Sequence, residues 1–374
     1  MRRVSWIAFL LALLLLTLRF GDRAASSWVS QHPADTSYPG DILDDTSVGS
    51  AKILIDQGLS QAFMDEPESY RHRLAPATLY FEALGARGIG IRYSGSSRFR
   101  IFLQSRLNMT PSYFLEVYDH SDAGDFQGTK KIYLRSLATD PSQLREKLGL
   151  DWFRRFNLLA PRGRFVDVRL NDLDPAMYLM TEKLTQGRLH KLMADDPGRL
   201  ESMEEAFISG QRLQELIATL EPDYFARYLV VSALMGDSEG FFNFSNFDLY
   251  SRARGKLIIP TDLDRTFISQ CAWLEALKNG SWRNGSSLAL MNLVNALKSS
   301  SPAVKASVIQ FIDILRSNDF EQTPLRAEID RLYMTVGARM EAPRKKYFVD
   351  QLLAAYRCGT DLVLALRSTL ETGK

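Results

Sequence analysis

The chain contains little cysteine and little histidine, and neither sign of charge is in excess. Its 374 residues include two cysteines and four histidines, and 46 basic side chains are matched by 44 acidic ones, a formal net charge of +2. Two cysteines exclude a fold held together by several disulfides. Four scattered histidines argue against a zinc site built from them. The balanced charge gives no support to nucleic-acid binding, so no nucleic-acid partner is expected.

The two cysteines, Cys271 and Cys358, leave two alternatives. A single bridge between them is compatible with an exported domain. Buried cysteine also behaves as a small apolar residue in protein cores. We favour the second alternative and predict two buried thiols.

The N-terminus has a basic start followed by an apolar run. Arg2 and Arg3 precede a stretch from Val4 to Leu18 that is apolar apart from two hydroxyl side chains. The run is long for a signal peptide and short for a membrane-spanning helix, which needs roughly 17–25 residues. A cleaved signal and an uncleaved anchor both remain open. Either one exports the rest of the chain, so we predict a secreted or periplasmic protein, or one anchored by a single N-terminal membrane helix.

Composition and periodicity divide the chain into four parts. Residues 1–23 form the leader, and residues 24–50, rich in Ser, Asp, Pro and Gly, are predicted to be a flexible tether. Residues 51–183 form a β-rich region and residues 184–374 a helical region, which is an α+β arrangement of two lobes. The predicted strands are Gly90–Tyr93, Arg98–Gln104, Tyr113–Tyr118, Arg164–Leu170 and Ala176–Met180, with a turn at Ser94–Ser97.

Helices are predicted where apolar residues recur every three or four positions. Asp140 and Pro141 suit the first turn of a helix whose Leu144, Leu148 and Trp152 share one side. Further helices are predicted over Met203–Leu220, over Pro222–Met235 and over most of the chain beyond Phe267.

Three polar side chains in the second half occur in an order that suits phosphoryl transfer. Asp237 follows an apolar helix and Gly236, Asn246 comes nine residues later, and Asp262 leaves an apolar strand that ends at Pro260. A base, a metal amide and a metal carboxylate follow in this order in kinases. We predict that Asp237 acts on a substrate hydroxyl and that Asn246 and Asp262 bind a divalent metal, with Asp264 as a further ligand. A polar turn capped by Asp or Asn is the alternative for each residue taken alone.

The same residues resemble a known family, the spore coat protein H (CotH) type of atypical secreted protein kinase. The resemblance covers roughly residues 88 to 370, and its most specific blocks are Met235–Tyr250 and Leu257–Phe267. Two further blocks resemble the family, Lys131–Arg145 and Val168–Lys183. The resemblance implies a kinase-like two-lobed fold that binds ATP with Mg²⁺ or Mn²⁺. The implied activity transfers the γ-phosphoryl group to a hydroxyl of a protein or a small molecule.

The resemblance also implies nucleotide-binding residues in the first lobe. Gly95, Ser96 and Ser97 occupy the loop that covers the phosphates in the family, and Glu182 lies near the hinge that faces the base.

Departures from the family pattern keep other functions open. The family has Lys-Lys-Ser-Tyr where this chain has Thr110–Tyr113, so the phosphate lysine is missing, and Arg106, Lys130 and Lys131 are the nearest substitutes. A degenerate kinase that acts as a surface or envelope assembly or binding protein is therefore the main alternative. AMP transfer on the same scaffold and a metal-dependent hydrolase using Asp262 and Asp264 are further alternatives.

Overall fold

The computed structural model describes most of the chain beyond the predicted leader. The described residues are 42–43, 45–82, 85–104, 110–118, 129–202, 213–243, 245–268, 270–279, 285–317, 322–336 and 342–372. The leader, most of the tether and Arg106 lie outside them. Within the described residues, every helix is either too short or too polar to cross a membrane.

The first half of the chain forms a closed, seven-stranded sheet. Its strands run in the order β1-β2-β3-β4-β5-β7-β6, and β6 returns to pair with β1 in parallel, while the other neighbours are antiparallel. The strands are β1 Gly49–Ile55, β2 Ala75–Phe81, β3 Ala86–Ser94, β4 Ser112–Val117, β5 Lys131–Ser136, β6 Gly163–Leu170 and β7 Ala176–Glu182. Their inward side chains form a core of their own, rich in Ile, Val and Tyr, because successive residues of a strand point to opposite faces.

The second half is helical, with one small sheet. Three of the described helices lie in the first half: α1 Gln57–Asp65, α2 Ser96–Gln104 and α3 Arg145–Arg155. Those of the second half are α4 Gln186–Leu192, α5 Leu213–Ala218, α6 Pro222–Met235, α7 Gln270–Asn279, α8 Gly285–Ser299, α9 Pro302–Ser317, α10 Gln322–Val336 and α11 Ala342–Thr372. Three further strands, β8 Arg199–Ser202, β9 Phe247–Arg252 and β10 Gly255–Pro260, pair antiparallel in the order β10-β9-β8. A second core joins α3 and the later helices to β9 and β10. The predicted α+β class is confirmed.

One predicted strand is wrong. Arg98–Gln104 belongs to helix α2. Phe99, Phe102 and Leu103 recur at helical spacing, and the rings of Phe99 and Phe102 lie 5.6 and 5.7 Å from the ring of Tyr93 on β3. The alternation of apolar residues in this segment fits both periods, and packing against the barrel core selects the helix.

Two other predictions need correction. Helix α3 begins at Arg145 and not near Asp140, because Gln143 has a left-handed backbone (φ 59°) that interrupts the helical path. The Asp140 carboxylate instead accepts hydrogen bonds from the backbone amides of Ser142 and Arg145 and caps the preceding turn. The predicted helix Met203–Leu220 lies partly outside the described residues, and its described part is helical only over Leu213–Ala218.

The prediction of two buried thiols is also wrong. Cys271 on α7 and Cys358 on α11 form a disulfide across a Cα–Cα distance of 4.9 Å, and Cys271 is exposed. The two helices pack against each other and bring together residues that lie 87 positions apart in sequence.

Candidate functional site

A polar cleft of about 410 Å³ lies between the barrel and the small sheet of the helical half. Its size is within the range of small-molecule sites. The residues that line it are Ser94, Gly95, Tyr133, Arg135, Pro161, Thr181, Glu182, Lys183, Leu184, Asn246, Asp248, Ile259, Thr261 and Asp262. Four predicted site residues therefore meet here: Gly95, Glu182, Asn246 and Asp262.

Asn246 and Asp262 are held together by the chain around strands β9 and β10. The backbone amide of Thr261 donates to the carbonyl of Asn246 at 2.9 Å, and the Asn246 side-chain amide donates to the carbonyl of Asp262 at 3.4 Å. Asn246 adopts a left-handed backbone (φ 51°), which Asn tolerates better than most residues. An amide oxygen and a carboxylate at one end of the cleft are a ligand pair suited to a hard divalent cation.

Arg135 is a buried positive charge of this site that the sequence analysis missed. It lies on β5, is 7% exposed, and extends its guanidinium across the cleft. Its Nη1 lies 3.6 Å from the Asp262 carboxylate, and its Nη2 donates to the carbonyl of Thr261 at 3.0 Å. Its Nε lies 3.4 Å from the carboxylate of Glu146 on α3. Arg135 thus joins a strand of the barrel, the first turn of α3 and the predicted metal carboxylate.

A signal for Arg135 is present in the sequence. In β5, Lys131–Ser136, Tyr133 and Arg135 are two residues apart and therefore share a face, and the guanidinium lies 4.3 Å from the Tyr133 ring. Glu146 follows in the first turn of the next helix. The lysines considered as substitutes lie elsewhere: Lys130 is exposed and Lys131 pairs with Glu116 at 3.3 Å.

Glu182 ends strand β7 and forms part of the cleft wall. Its side chain is buried and accepts from the Arg162 Nε at 3.1 Å, while the Arg188 Nε lies 3.4 Å from its second oxygen. Its carboxylate is therefore neutralised by two arginines.

Asp237 lies outside the described lining of the cleft. It follows Gly236, whose left-handed backbone (φ 59°) ends α6 as predicted, and its own backbone amide donates to the carbonyl of Ser232. The side chain is 2% exposed, and its Oδ2 has no hydrogen-bond partner among the described residues. Burial raises the pKa of Asp237 to about 7, with a smaller contribution from repulsion by Glu239 and Asp262.

The absence of a side chain at Gly240 makes room for the Asp237 carboxylate beneath the following loop. A Cβ at Gly240 would lie 1.9 Å from the Asp237 Oδ2, so the chain passes directly over the carboxylate. Asp237 is close enough to Asp262 to interact with its charge, but the carboxylate is covered in this conformation.

Asp264 and the loop residues Gly95, Ser96 and Ser97 complete the predicted set. Asp264 is two residues beyond Asp262 and is not among the described residues that line the cleft. Gly95 lines the cleft with a left-handed backbone (φ 81°), while Ser96 and Ser97 begin α2 and their side chains lie outside the described part of the structure. Among the described residues, no three His, Cys, Asp or Glu side chains are grouped as metal ligands. The predicted set instead combines an amide with carboxylates.

Comparison with known proteins agrees with the resemblance seen in the sequence. Residues 91–214 match the family described as CotH kinase protein. A 66-residue segment is 35% identical to the inner spore coat protein H of Bacillus subtilis (strain 168). That segment covers 18% of this chain and 18% of the relative. The family match contains Arg135, Glu146 and Glu182 and ends before Asp237. The recognition is confirmed: residues 91–214 are similar to the CotH family model, and a shorter segment is similar to a spore coat protein H.

Proposed function

We propose that the chain is an exported atypical kinase that transfers the γ-phosphoryl group of ATP to a hydroxyl acceptor. The proposal includes a kinase-like division into two lobes, residues 51–183 and 184–374. Two separate hydrophobic cores support that division, one inside the barrel and one in the helical half. The closed barrel, with its parallel β1–β6 pair, is a feature that the two-lobed kinase pattern does not itself require.

One observation carries the proposal: Arg135 contacts both Glu146 and Asp262 beside Asn246. In kinases a strand lysine binds the phosphates and pairs with a helix glutamate, while an amide and a carboxylate hold the metal. Arg135 on β5 and Glu146 on α3 supply such a pair. Arg135 would replace the missing lysine, and its guanidinium can bind phosphate oxygens through two parallel hydrogen bonds.

The residues of the cleft fit a metal–nucleotide complex. Asn246 and Asp262 would hold Mg²⁺ or Mn²⁺, and Asp264 follows closely enough in sequence to join them on a small rearrangement. The metal would neutralise phosphate charge as it develops during transfer. Glu182, Leu184 and Ile259 would border the base at the other end, and Gly95 would place the loop before α2 over the phosphates.

Asp237 is proposed to accept the proton of the substrate hydroxyl. A carboxyl group with a pKa of about 7 is matched to proton transfer near neutral pH. Its covered position requires the segment around Gly240 to move before an acceptor can reach it. Its Oδ2, which has no hydrogen-bond partner among the described residues, would gain one from the acceptor.

The disulfide supports export. Structural disulfides persist in oxidising compartments and are rare in the cytosol. The bond between Cys271 and Cys358 is therefore what an extracytoplasmic protein would have. The relative's printed name places that protein in the spore coat, and a coat or envelope location is proposed for this chain on the same grounds.

A transfer assay tests the proposal. The purified chain is incubated with ATP labelled at the γ-phosphate, with Mg²⁺ or Mn²⁺ and with casein as a generic acceptor, so that labelling of casein or of the chain itself is counted. We expect the wild type to transfer label and Asp262→Asn to transfer none.

The matched control Asp330→Asn removes an exposed carboxylate of α10 and should transfer label normally. A wild type that transfers nothing, or an Asp262→Asn variant that transfers as well, would overturn the proposal. Label supplied at the α-phosphate distinguishes AMP transfer.

A degenerate kinase that acts as a surface assembly protein is the second candidate. The observation that favours it is the enclosed Asp237 together with the ion pair that holds Asp262 against Arg135. Thermal unfolding with and without ATP and Mn²⁺ separates the two candidates. Stabilisation by nucleotide without any transfer would favour the degenerate protein.

A further inference from the structure

A second cavity lies beside the cleft and shares Glu182 and Leu184 with it. Its volume is about 400 Å³, and Glu182 belongs to the lining of both cavities. Three segments of the chain surround it. They are the end of α3, the connection from α3 to β6, and the segment from the end of β7 through α4. The proposed transfer reaction uses only the first cavity.

The charged side chains of this cavity are mostly positive. The described lining contains three arginines, Arg154, Arg162 and Arg188, and one carboxylate, Glu182. Arg162 and Arg188 both pair with that single carboxylate, and the outer arginine, Arg154, lies 3.8 Å from Asp151. Two guanidinium groups pair with one buried carboxylate and the third pairs with Asp151, so these residues together carry an excess of positive charge, which favours an anionic occupant.

The hydrogen bonding around Glu182 is incomplete. Its carboxylate is only 2% exposed, and neither its Oε2 nor the Nε of Arg188 has a hydrogen-bond partner among the described residues, although they lie 3.4 Å apart as an ion pair. Buried polar atoms are usually satisfied, so two such atoms at the wall of one cavity indicate room for a further polar group. An incoming anion would give the Arg188 Nε an acceptor.

The rest of the cavity is apolar except for Asn157. Its remaining lining residues are Asn157, Leu158, Leu159, Ala160, Leu184, Leu192 and Met193. Leu192, at the end of α4, is 48% exposed and contributes an accessible apolar side chain to the lining. An apolar surface next to guanidinium groups matches an amphiphile that has one anionic head and a hydrocarbon body.

We propose that this cavity binds a small carboxylate amphiphile, with the head on Arg162 and Arg188 and the hydrocarbon body along Leu158, Leu184 and Leu192. Each guanidinium then bridges the Glu182 carboxylate and the ligand carboxylate. The site shares Glu182 and Leu184 with the proposed nucleotide cleft, but octanoate binding is measured without nucleotide, so its outcome is separate from that of the transfer assay.

Calorimetric titration of the purified chain with three probes tests the site. Octanoate carries both the charge and the hydrocarbon body, octanol carries only the hydrocarbon body, and inorganic phosphate carries only charge. We expect octanoate to bind at least about tenfold more tightly than either of the other two, because neither of them makes both kinds of contact. Equal binding of octanol, or no binding of octanoate, would overturn the proposal.

Two variants locate the binding. Arg188→Gln removes one guanidinium, and Leu192→Asp places a negative charge at an exposed rim position where folding is not at risk. Both should weaken octanoate binding by about tenfold or more. The control Arg316→Gln removes an exposed arginine of α9 and should leave octanoate binding unchanged. Octanoate affinity that is the same in Leu192→Asp as in the wild type would show that the probe binds elsewhere and would refute the site.

Discussion

Two neighbouring residues of α3, Glu146 and Lys147, belong to two ionic clusters that differ in how closely their charges are paired. Glu146 contacts Arg135 and so belongs to the cleft cluster, defined as Arg135, Glu146, Asn246 and Asp262. Lys147 belongs to the anchoring cluster, defined as Asp45, Lys147, Asp151, Glu328 and Arg331.

The two clusters differ in how completely they are satisfied. Lys147 is fully buried, hydrogen-bonded to Asp151, and 2.5 Å from the Asp45 carboxylate. Arg331 closes this cluster from α10 at 3.1 Å from Asp45. In the cleft cluster the shortest Arg135–carboxylate distance is 3.4 Å and the Asp262 side chain is 26% exposed. Buried charges that only hold a fold together are paired closely, whereas charges that bind a ligand must keep part of their capacity for it.

The largest expected effect comes from breaking the anchoring cluster. Lys147→Met should lower the free energy of unfolding by about 3–5 kcal/mol, because it removes the fully buried cation that lies between the carboxylates of Asp45 and Asp151. Urea denaturation measures the change. The control Lys131→Met removes a half-exposed pair with Glu116 and should cost less than about 1 kcal/mol. Similar losses in the two variants would contradict the distinction between the clusters.

Substituting Arg135 tests the other cluster through activity. Arg135→Met should lower the rate of phosphoryl transfer by about 100-fold or more, the usual cost of removing a positioned group that stabilises the transition state. Arg135→Lys keeps a cation and should recover part of that rate. The ratio of kcat for the two variants is the measurement. If methionine and lysine reduce kcat equally while both proteins stay folded, Arg135 does not act on the phosphates.

The contribution of Asp237 to stability should change with pH in the opposite sense from that of a carboxylate paired with a cation. Its folded pKa of about 7 lies above its unfolded value of 3.8, so the folded state binds the proton more tightly and its stability falls as pH rises from about 4 to about 7. Asp237→Asn removes this cost and should raise the free energy of unfolding by about 2–4 kcal/mol at pH 8, with little change at pH 4.

Chemical denaturation of both proteins at pH 4 and pH 8, without added divalent metal, gives the comparison. Glu275→Asn, at an exposed position on α7, serves as the control and should show no such dependence. An Asp237→Asn variant that is less stable than the wild type at pH 8 would show that the carboxylate is stabilised by its surroundings.

The smallest expected effect concerns Asp45 in the anchoring cluster. Burial opposes its ionisation, but Lys147 and Arg331 lower the pKa of Asp45 to about 2. A lowered pKa contributes stability above the unfolded value, and that contribution is lost as pH falls from about 4 to about 2. Between about pH 4 and pH 2, the free energy of unfolding of Asp45→Asn should therefore fall by about 1 kcal/mol less than that of the wild type. Acid denaturation followed by circular dichroism measures it, and parallel curves for the two proteins would contradict the assignment.

The sequence predicts the elements whose patterns have a single interpretation. Pro222–Met235 is a helix with the predicted bounds because Pro begins it, Gly236 ends it, and the residues between are almost all apolar. The Arg164–Leu170 strand and the Asn171 turn also follow from alternation and turn chemistry. Arg98–Gln104 was assigned wrongly because its apolar residues fit both periods, and only contact with Tyr93 decides between them.

The residues of the candidate site also divide into those that the sequence predicts and those that only the structure reveals. Asn246 and Asp262 could be predicted because each follows or precedes a strand with a recognisable pattern, and the two strands are neighbours. The spacing of Arg135 from Tyr133 and the presence of Glu146 in the next helix are a sequence signal, but an arginine in a strand looks the same whether it faces solvent or a cleft, so only the structure assigns Arg135 to the site. Asp237 was predicted at the end of its helix, but its enclosure by the Gly240 segment depends on the path of the loop.

By itself, the sequence determined the α+β class, the ends of α6 and the order of acid, amide and acid, because these depend on local periodicity and on neighbouring residues. Only the tertiary structure decided the Cys271–Cys358 bond, the closure of the barrel by β1 and β6, and the meeting of Arg135 with Glu146 and Asp262. Each of these joins residues that are distant in the chain, and their distance in space depends on how whole elements pack.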